Sequence, residues 1–310
     1  MKIYIAATFR EFDGSENDKI QVLFLESLMR QKFTNFELVT TTFGERSVKT
    51  KLNTVDLNIK IYEEEKLDYR FSLTKVLENA ISYAEANHTD NDYFIIWTTC
   101  DLVFQDDFLE SVFKYNKLSN YKSSVISHPH LMYQSIEDLE NDNFVVHGPN
   151  DGIDYIGFSG RLIQSQFKAD LRNYFYSDWG VFEHFLVAMA VKYNFARQNL
   201  FQASKARKIS NDRSVNNEND QYFKMSLNKN WPVFRSFLAD SHLSEEYFFL
   251  AYCNLKYKVV GSFVANVKYR LKFSSSYFFY YKRLLRRSIS RIIPIKLKLF
   301  LKSILFEKSK

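Results

Sequence analysis

Uninterrupted apolar stretches alternate with helix-like repeats through the first 130 residues of the chain. Residues 2–8 and 93–98 are largely or almost entirely apolar, and residues 36–42 also predict a strand. The segment 93–98 is typical of a strand buried on both faces of a parallel sheet. Between them, residues 19–31 and 70–86 repeat apolar side chains at helical spacing, and 107–115 predicts a further helix before a strand at 123–127. This order of strands and helices predicts an α/β fold with a doubly wound, mostly parallel sheet flanked by helices.

The pattern also predicts where ligands bind. Sheets of this kind bind ligands beyond the carboxyl ends of their strands, so the loops after Thr8, Thr42 and Thr99 are expected around one cleft. Further along, the sequence predicts a short strand at 155–158, a helix at 182–193, a polar mobile loop at 207–221 and a helix at 245–252. We therefore predict one catalytic domain over 1–267, followed by a tail over 268–310.

Composition excludes several classes of protein. Among 310 residues there are only 8 glycines, and no GxGxxG or GxxxxGK[ST] pattern indicates a dinucleotide or P-loop site. The 2 cysteines are too few for a disulfide framework or a clustered zinc site. The start of the chain lacks the features of a signal peptide, and no apolar run is long enough to span a membrane. We expect a cytoplasmic protein.

Charge is concentrated at the C-terminal end. The net charge is +6, but residues 268–310 hold thirteen Lys or Arg and one acid, so the rest of the chain is mildly acidic. Over 281–293, Leu and Ile side chains fall on one helical arc and four Arg on the opposite arc, and a second apolar stripe follows Pro294. This pattern is typical of a helix lying on an anionic membrane surface. Packing of the tail on its own domain is the main alternative. A nucleic-acid partner is not expected, because phosphate binding does not need the apolar stripe.

Two segments and a weaker third carry a resemblance to a known family. The first joins residues 25–28 (LESL), Gln31 and residues 35–39 (NFELV). The second runs from Asn91 to Asp101 (NDYFIIWTTCD) and continues through Phe104 to residues 107–109 (DFL), and the third is at 179–184 (WGVFEH). In order and spacing they resemble the inverting glycosyltransferases typified by family 2, which have a GT-A fold and use nucleotide-sugar donors. The match covers about residues 2–115, and the C-terminal third matches nothing we can name.

The resemblance implies roles for particular residues. Asp101 corresponds to the second carboxylate of the family's Asp-x-Asp motif, which holds a divalent metal (Mn²⁺ or Mg²⁺) on the donor diphosphate. Glu183 and His184 correspond to its Glu-Asp pair and are the candidates for the general base, with Asp178 in reserve. Loop residues around the predicted cleft are the candidates for donor binding: Arg10, Thr42, Arg46, Lys75, Thr99 and Asp101. His128 and His130 form a weaker candidate pair for metal or acceptor.

Three departures from the family pattern leave alternatives open. The motif reads Thr99-Cys100-Asp101, so only one of its carboxylates survives. The family's nucleotide-contacting Asp pair after the second strand is absent from residues 41–46 (TTFGER), and His184 replaces the second acid of the Glu-Asp pair. The resemblance and the basic tail together still favour a transferase that builds a lipid-linked cell-surface glycan at the inner face of the membrane. A metal-independent or degenerate protein of the same fold, a membrane-surface scaffold without activity and an unrelated α/β enzyme remain alternatives.

Overall fold

The computed structural model describes most of the first 245 residues of the chain. The described residues are 1–65, 72–118, 123–127, 131–143, 145–146, 154–163, 165–173, 181–193, 196–199, 206–209, 217–245 and 248. The basic tail at 268–310 and most of the helix predicted at 245–252 lie outside them. Within the described residues, no helix is long and apolar enough to cross a membrane.

The described chain contains eleven strands and eight α-helices. The strands are β1 (Lys2–Ala7), β2 (Phe36–Thr42), β3 (Ile59–Glu63), β4 (Tyr93–Thr98), β5 (Leu102–Phe104), β6 (Ser123–Ser127), β7 (Leu131–Tyr133), β8 (Val145–Val146), β9 (Tyr155–Ser159), β10 (Ala196–Asn199) and β11 (Ala206–Ile209). The helices are α1 (Glu16–Met29), α2 (Arg46–Leu52), α3 (Leu73–Asn87), α4 (Phe108–Leu118), α5 (Ile136–Glu140), α6 (Ser165–Asn173), α7 (Phe182–Lys192) and α8 (Asn217–Asp240).

Seven strands form a central sheet in the order β10-β6-β9-β4-β1-β2-β3. Strand β9 runs antiparallel to both of its neighbours, β4 and β6, and the other pairs are parallel. All six residues of β4 are buried, as expected for a central strand covered on both faces. The predicted fold class, a mostly parallel sheet flanked by helices, is confirmed.

Helices cover both faces of this sheet because successive side chains of a strand point to opposite sides. In β1, Tyr4 and Ala6 pack into a core that includes α3, α6, α7 and α8. Ile3, Ile5 and Ala7 pack into a second core that includes α1, α2 and α4. Helices therefore cover both faces of the central strands, and a ligand can reach these strands only at their ends.

A second, four-stranded sheet has the order β5-β11-β7-β8 and begins directly after β4. Only residues 99–101 separate β4 from β5, so the chain passes from the large sheet to the small one at Asp101. Strand β11 pairs antiparallel with β5 and parallel with β7. The small sheet thus brings a segment from the second half of the chain against the carboxyl end of β4.

The strands and helices predicted through residue 127 and at 155–158 and 182–193 are all present, with ends shifted by three residues or fewer. The predicted polar loop at 207–221 is wrong at both ends, since β11 includes residues 207–209 and α8 begins at Asn217. The sequence pattern does not predict strand β11, because its side chains Arg207 and Lys208 are polar. Partners elsewhere in the fold stabilise them. Helix α2 and strand β3 were also missed; every described side chain of β3 is at least partly exposed, as on an edge strand.

Gly157 in β9 provides a test of how closely the antiparallel strand packs on β4. A Cβ at this position would lie 2.3 Å from Cε1 and 2.9 Å from Cζ of the buried Phe94 ring. We expect Gly157→Ala to reduce the free energy of unfolding by about 1–3 kcal/mol, because the ring has to shift within a packed core. Urea unfolding measures this loss. In a Phe94→Leu background the same substitution should cost less, and an equal cost in both backgrounds would contradict the clash.

Candidate active site

Asp101 lies at the junction of the two sheets, beyond the carboxyl end of β4. Its backbone carbonyl accepts a hydrogen bond from the amide of Ile209 in β11, at 2.9 Å. Its carboxylate accepts a hydrogen bond from the hydroxyl of Thr99. The side chain is 28% exposed, so it is held by the fold yet remains open to a ligand. Thr99 and Asp101, both predicted from the sequence as donor-binding residues, therefore lie together.

Lys208 of β11 lies between two aspartates. Its Nζ contacts Oδ1 of Asp154 and lies 3.6 Å from Oδ2 of Asp101. Asp154 precedes β9 and is fixed from the other side, because its carbonyl accepts a hydrogen bond from the amide of Thr99 at 3.0 Å. Strand β11, which pairs with β5, thus supplies a cation beside Asp101, and the residue before β9, which pairs with β4, supplies a carboxylate.

Helix α7 positions the predicted general base at the same edge. Phe182, its first residue, packs edge-on against Trp97 near the end of β4, with ring centroids 5.3 Å apart. The preceding residue, Val181, has a φ of 73°. A β-branched residue rarely adopts this left-handed conformation, which costs about 1–3 kcal/mol and is concentrated at functional sites. The strained entry to the helix places Glu183 in its first turn.

Glu183 and His184 form a pair. Nδ1 of His184 lies 3.3 Å from Oε1 of Glu183, whose side chain is 17% exposed. Burial by itself would raise the pKa of Glu183, but the hydrogen bond and charge of His184, a backbone hydrogen bond and the charge of Lys208 hold the pKa below its ordinary value. The effect of Lys208 connects this pair electrostatically with the Asp101 cluster. The imidazole itself packs beside the rings of Phe234 and Phe248.

The loop after β1 approaches the same residues. Gln21 of α1 fixes the loop by accepting a hydrogen bond from the backbone amide of Arg10 and donating one to its carbonyl. The thiol of Cys100 donates to the carbonyl of Thr8 at 3.1 Å. Burial, followed by the charge of Asp101, raises the pKa of this thiol well above its ordinary value, whereas the charge of Arg10 acts in the opposite direction. The charge of Arg10 therefore acts on the residue next to Asp101, and its part in donor binding stays a prediction.

Other predicted donor-binding residues lie elsewhere on this edge of the fold. Thr42 is buried at the end of β2, and its hydroxyl donates to the carbonyl of Tyr62 at 3.3 Å, which joins β2 to β3. Arg46 is exposed at the start of α2. Lys75, in the first turn of α3, forms an ion pair with Glu78 at 3.5 Å. No described contact joins these three residues to Asp101, so their part in donor binding stays a prediction. Asp178, His128 and His130 lie outside the described residues.

The residues around Asp101 do not fit the divalent metal that the resemblance implies. Mn²⁺ and Mg²⁺ prefer several oxygen ligands, and here the two nearest carboxylates already share an ammonium group. A dication bound to Asp101 would lie within a few ångströms of Lys208 and would be repelled by it. Within the described residues, no group of three or more His, Cys, Asp or Glu side chains could hold a metal ion.

Asp154 and Lys208 are the site residues that the sequence did not indicate. Asp154 directly precedes the apolar strand β9 (YIGFS), and an acid bounding a buried strand is the same signal that identified Asp101. Lys208 has no such signal, because the polar residues that follow it predict a loop. Its position follows from the pairing of β11 with β5, where Lys208 lies opposite Leu102.

No family model and no curated protein sequence matches this chain. Among solved structures, TarS from S. aureus is 16% identical over 54% of this chain and 49% of that chain, with a TM-score of 0.36. A nucleotide-diphospho-sugar transferase from Desulfovibrio desulfuricans G20 is 9% identical over 52% of this chain and 65% of that chain, with a TM-score of 0.34. A cytidylyltransferase from Leptospira borgpetersenii is 14% identical over 56% of this chain and 62% of that chain, with a TM-score of 0.31. This chain thus spans less than two thirds of each of these proteins, and the case for its function rests on its own residues.

Proposed function

We propose that this protein transfers a sugar from a nucleotide-diphosphate sugar to a hydroxyl group of an acceptor, with inversion at the anomeric carbon. One observation carries the proposal. A cation and a carboxylate, Lys208 and Asp101, lie 3.6 Å apart beyond the carboxyl end of a buried strand, and the charge of Lys208 also lowers the pKa of Glu183, which pairs with His184. The motifs at 25–39 and 91–109, which resemble the inverting glycosyltransferases, support the same reaction.

Lys208 and Arg10 are the groups that suit the leaving diphosphate. Departure of the nucleoside diphosphate leaves additional negative charge on its terminal phosphate oxygens, and fixed cations stabilise that charge most strongly in a partly buried site. Lys208 is 19% exposed and is held by β11. Asp101 is suited to accept hydrogen bonds from hydroxyl groups of the donor, which orients the anomeric carbon for in-line attack.

Glu183 is the group that suits deprotonation of the acceptor. Because its pKa lies below the ordinary value, Glu183 is a carboxylate at neutral pH, which is the form that accepts a proton. In the reaction, the acceptor oxygen forms a bond to the anomeric carbon as the bond to the diphosphate oxygen breaks. The acceptor proton passes to Glu183. A single displacement of this kind inverts the anomeric configuration.

The acceptor is proposed to be a lipid-linked glycan at a membrane surface. The support is the amphipathic basic pattern of residues 281–310, which would hold the active site close to lipid headgroups. Each basic residue near an anionic surface contributes about 1 kcal/mol, so several together suffice for reversible binding. The surface would be the inner face of the cell membrane, where nucleotide sugars are available.

Deletion of residues 281–310 is expected to abolish binding to vesicles that contain anionic lipid, while binding of nucleoside diphosphates persists. The reason is that the cationic arc and apolar stripe lie in the deleted segment, whereas the site residues lie between 10 and 208. Co-sedimentation with phosphatidylglycerol vesicles measures the first property and thermal shift the second. Unchanged sedimentation would reject the role of the tail, and neutral phosphatidylcholine vesicles serve as the control.

The proposed reaction is tested with a panel of UDP-, GDP-, ADP-, CDP- and dTDP-linked sugars and a bacterial lipid extract as acceptor. We expect one donor to release its nucleoside diphosphate faster with the extract than without it, and proton NMR of the product to report an inverted anomeric centre. Release of pyrophosphate from a nucleoside triphosphate and a sugar phosphate would indicate nucleotidyl transfer instead. If no donor binds and none is turned over, the result would favour the inactive or scaffold alternatives.

A further inference from the structure

The side chain of Lys208 lies beside Asp101, the residue that the resemblance implies as a metal ligand. Nζ contacts Asp154 and lies 3.6 Å from Asp101, and the carboxylate of Asp154 is only 7% exposed. Unpaired charges are costly to bury, so this lysine and this aspartate require one another. The pair is part of the fold and would be present before any ligand binds.

Backbone contacts fix this position from both sides. Lys208 lies opposite Leu102 in the β11–β5 register, and the next amide, that of Ile209, donates to the carbonyl of Asp101. The amide of Thr99 donates to the carbonyl of Asp154. The cation and both carboxylates are therefore attached by backbone contacts to the same three-residue connection between β4 and β5.

We propose that Lys208 replaces the divalent cation of the donor site, so that this protein binds the diphosphate of its donor without metal. The inference rests on the proposed function and specifies how its donor is bound. An ammonium group donates in three directions, and the 3.6 Å separation from Asp101 is longer than a hydrogen bond. A phosphate oxygen can therefore displace the Asp101 contact while the Asp154 contact persists. Asp101 then becomes available to donor hydroxyl groups.

Binding of nucleoside diphosphates to the full-length wild-type chain gives the first test. UDP, GDP, ADP, CDP and dTDP are titrated by isothermal calorimetry, once in EDTA and once in Mn²⁺. The expected result is that the preferred nucleotide binds with the same affinity, within about twofold, in both conditions. Binding that requires Mn²⁺ would overturn this inference and leave the proposed function intact. If no nucleotide binds in either condition, both are overturned.

Substitution of Lys208 gives the second test. Lys208→Met keeps the length of the side chain and removes its charge, so binding in EDTA should weaken by about tenfold or more, the usual effect of losing a hydrogen bond to a charged group. Two uncompensated carboxylates, Asp101 and Asp154, then remain, and Mn²⁺ should restore binding in this variant. Direct titration with Mn²⁺ alone should give a signal for Lys208→Met and none for wild type.

Two controls separate charge from folding. Lys208→Arg keeps the cation and should bind the nucleotide in EDTA, and Lys168→Met removes a lysine of α6 that pairs with Glu85 outside the site. Thermal unfolding of each variant reports whether it folds. Wild-type affinity of Lys208→Met in EDTA would overturn the inference. If that variant does not fold, the inference is tested by the nucleotide affinities of wild type and Lys208→Arg in EDTA and in Mn²⁺. Affinities that require Mn²⁺ would overturn it.

Discussion

Replacement of Glu183 by Gln is expected to lower kcat for sugar transfer by about 10²–10⁴-fold, the usual contribution of a positioned general base. The amide occupies the same space but cannot accept the acceptor proton. Binding of the nucleoside diphosphate should change little, because the diphosphate is proposed to contact Lys208 and Arg10. Initial rates at saturating donor, together with calorimetry of the nucleotide, separate the two effects.

The matched control for this variant is Glu110→Gln. Glu110 also lies in the first turn of a helix, α4, but is paired with Lys114 on the surface. Its substitution should leave kcat unchanged. Equal rates for wild type and Glu183→Gln would remove Glu183 from the mechanism.

The pH dependence of wild type gives an independent check on the same residue. The ionised carboxylate is the active form, and its pKa lies below the ordinary 4.5. Activity that depends on this carboxylate is therefore present above that pH and is lost only as the pH falls through the lowered pKa. If kcat/KM already falls as the pH drops through neutrality, a base other than Glu183 is responsible.

Asp170→Ala is expected to reduce the free energy of unfolding by about 1.5–3 kcal/mol, the usual contribution of hydrogen bonds to a charged group. Asp170 of α6 is buried and accepts from Nζ of Lys192 at 2.5 Å and from the hydroxyl of Tyr193 at 2.6 Å. Burial, and then the hydrogen bond to Asp170, raise the pKa of Tyr193. Without the carboxylate, a cation and a phenol at the end of α7 lose their partner.

The size of that effect depends on burial, and Glu85→Ala tests this dependence. Glu85 pairs with Lys168, also on α6, but both side chains are about one third exposed. Exposed pairs contribute about 0–1 kcal/mol, so this variant should unfold close to wild type in guanidinium chloride. If Asp170→Ala lowers the free energy of unfolding as little as Glu85→Ala does, Asp170 acts only as a surface charge. Because α7 also carries Glu183, a loosened Asp170→Ala variant should lose transfer activity as well.

Local pattern was sufficient for the elements that bury a continuous apolar surface. Strand β4 and helix α3 were predicted within a few residues. Every residue of β4 is buried, and each turn of α3 buries apolar side chains, so the pattern is visible in a short stretch of sequence. Strand β11 lacks that repetition. Its Lys208 is stabilised by Asp101 and Asp154, which lie more than 50 residues away in sequence, and its Arg207 lies over the ring of Tyr133, so no local window contains that information.

The same distinction applies to the candidate site. Asp101 was predicted as an acid after a buried strand and from the family's Asp-x-Asp motif, and Glu183 was predicted from its correspondence to the family's Glu-Asp pair. That the charge of Lys208 acts on both is a consequence of two long-range features, the β11–β5 pairing and the packing of Phe182 on Trp97. Neither feature has a sequence signature, because each depends on how separate elements pack.

The sequence by itself determined the α/β class, the order of the main strands and helices, and the edge of the sheet at which ligands are expected. These follow from periodicity and from the rule that parallel strands present their carboxyl ends together. Only the tertiary structure decided which charges share that edge. Burial makes the pairing of Lys208 with Asp154 obligatory and places Asp101 beside them, since a charge removed from water requires a partner wherever in the chain that partner lies.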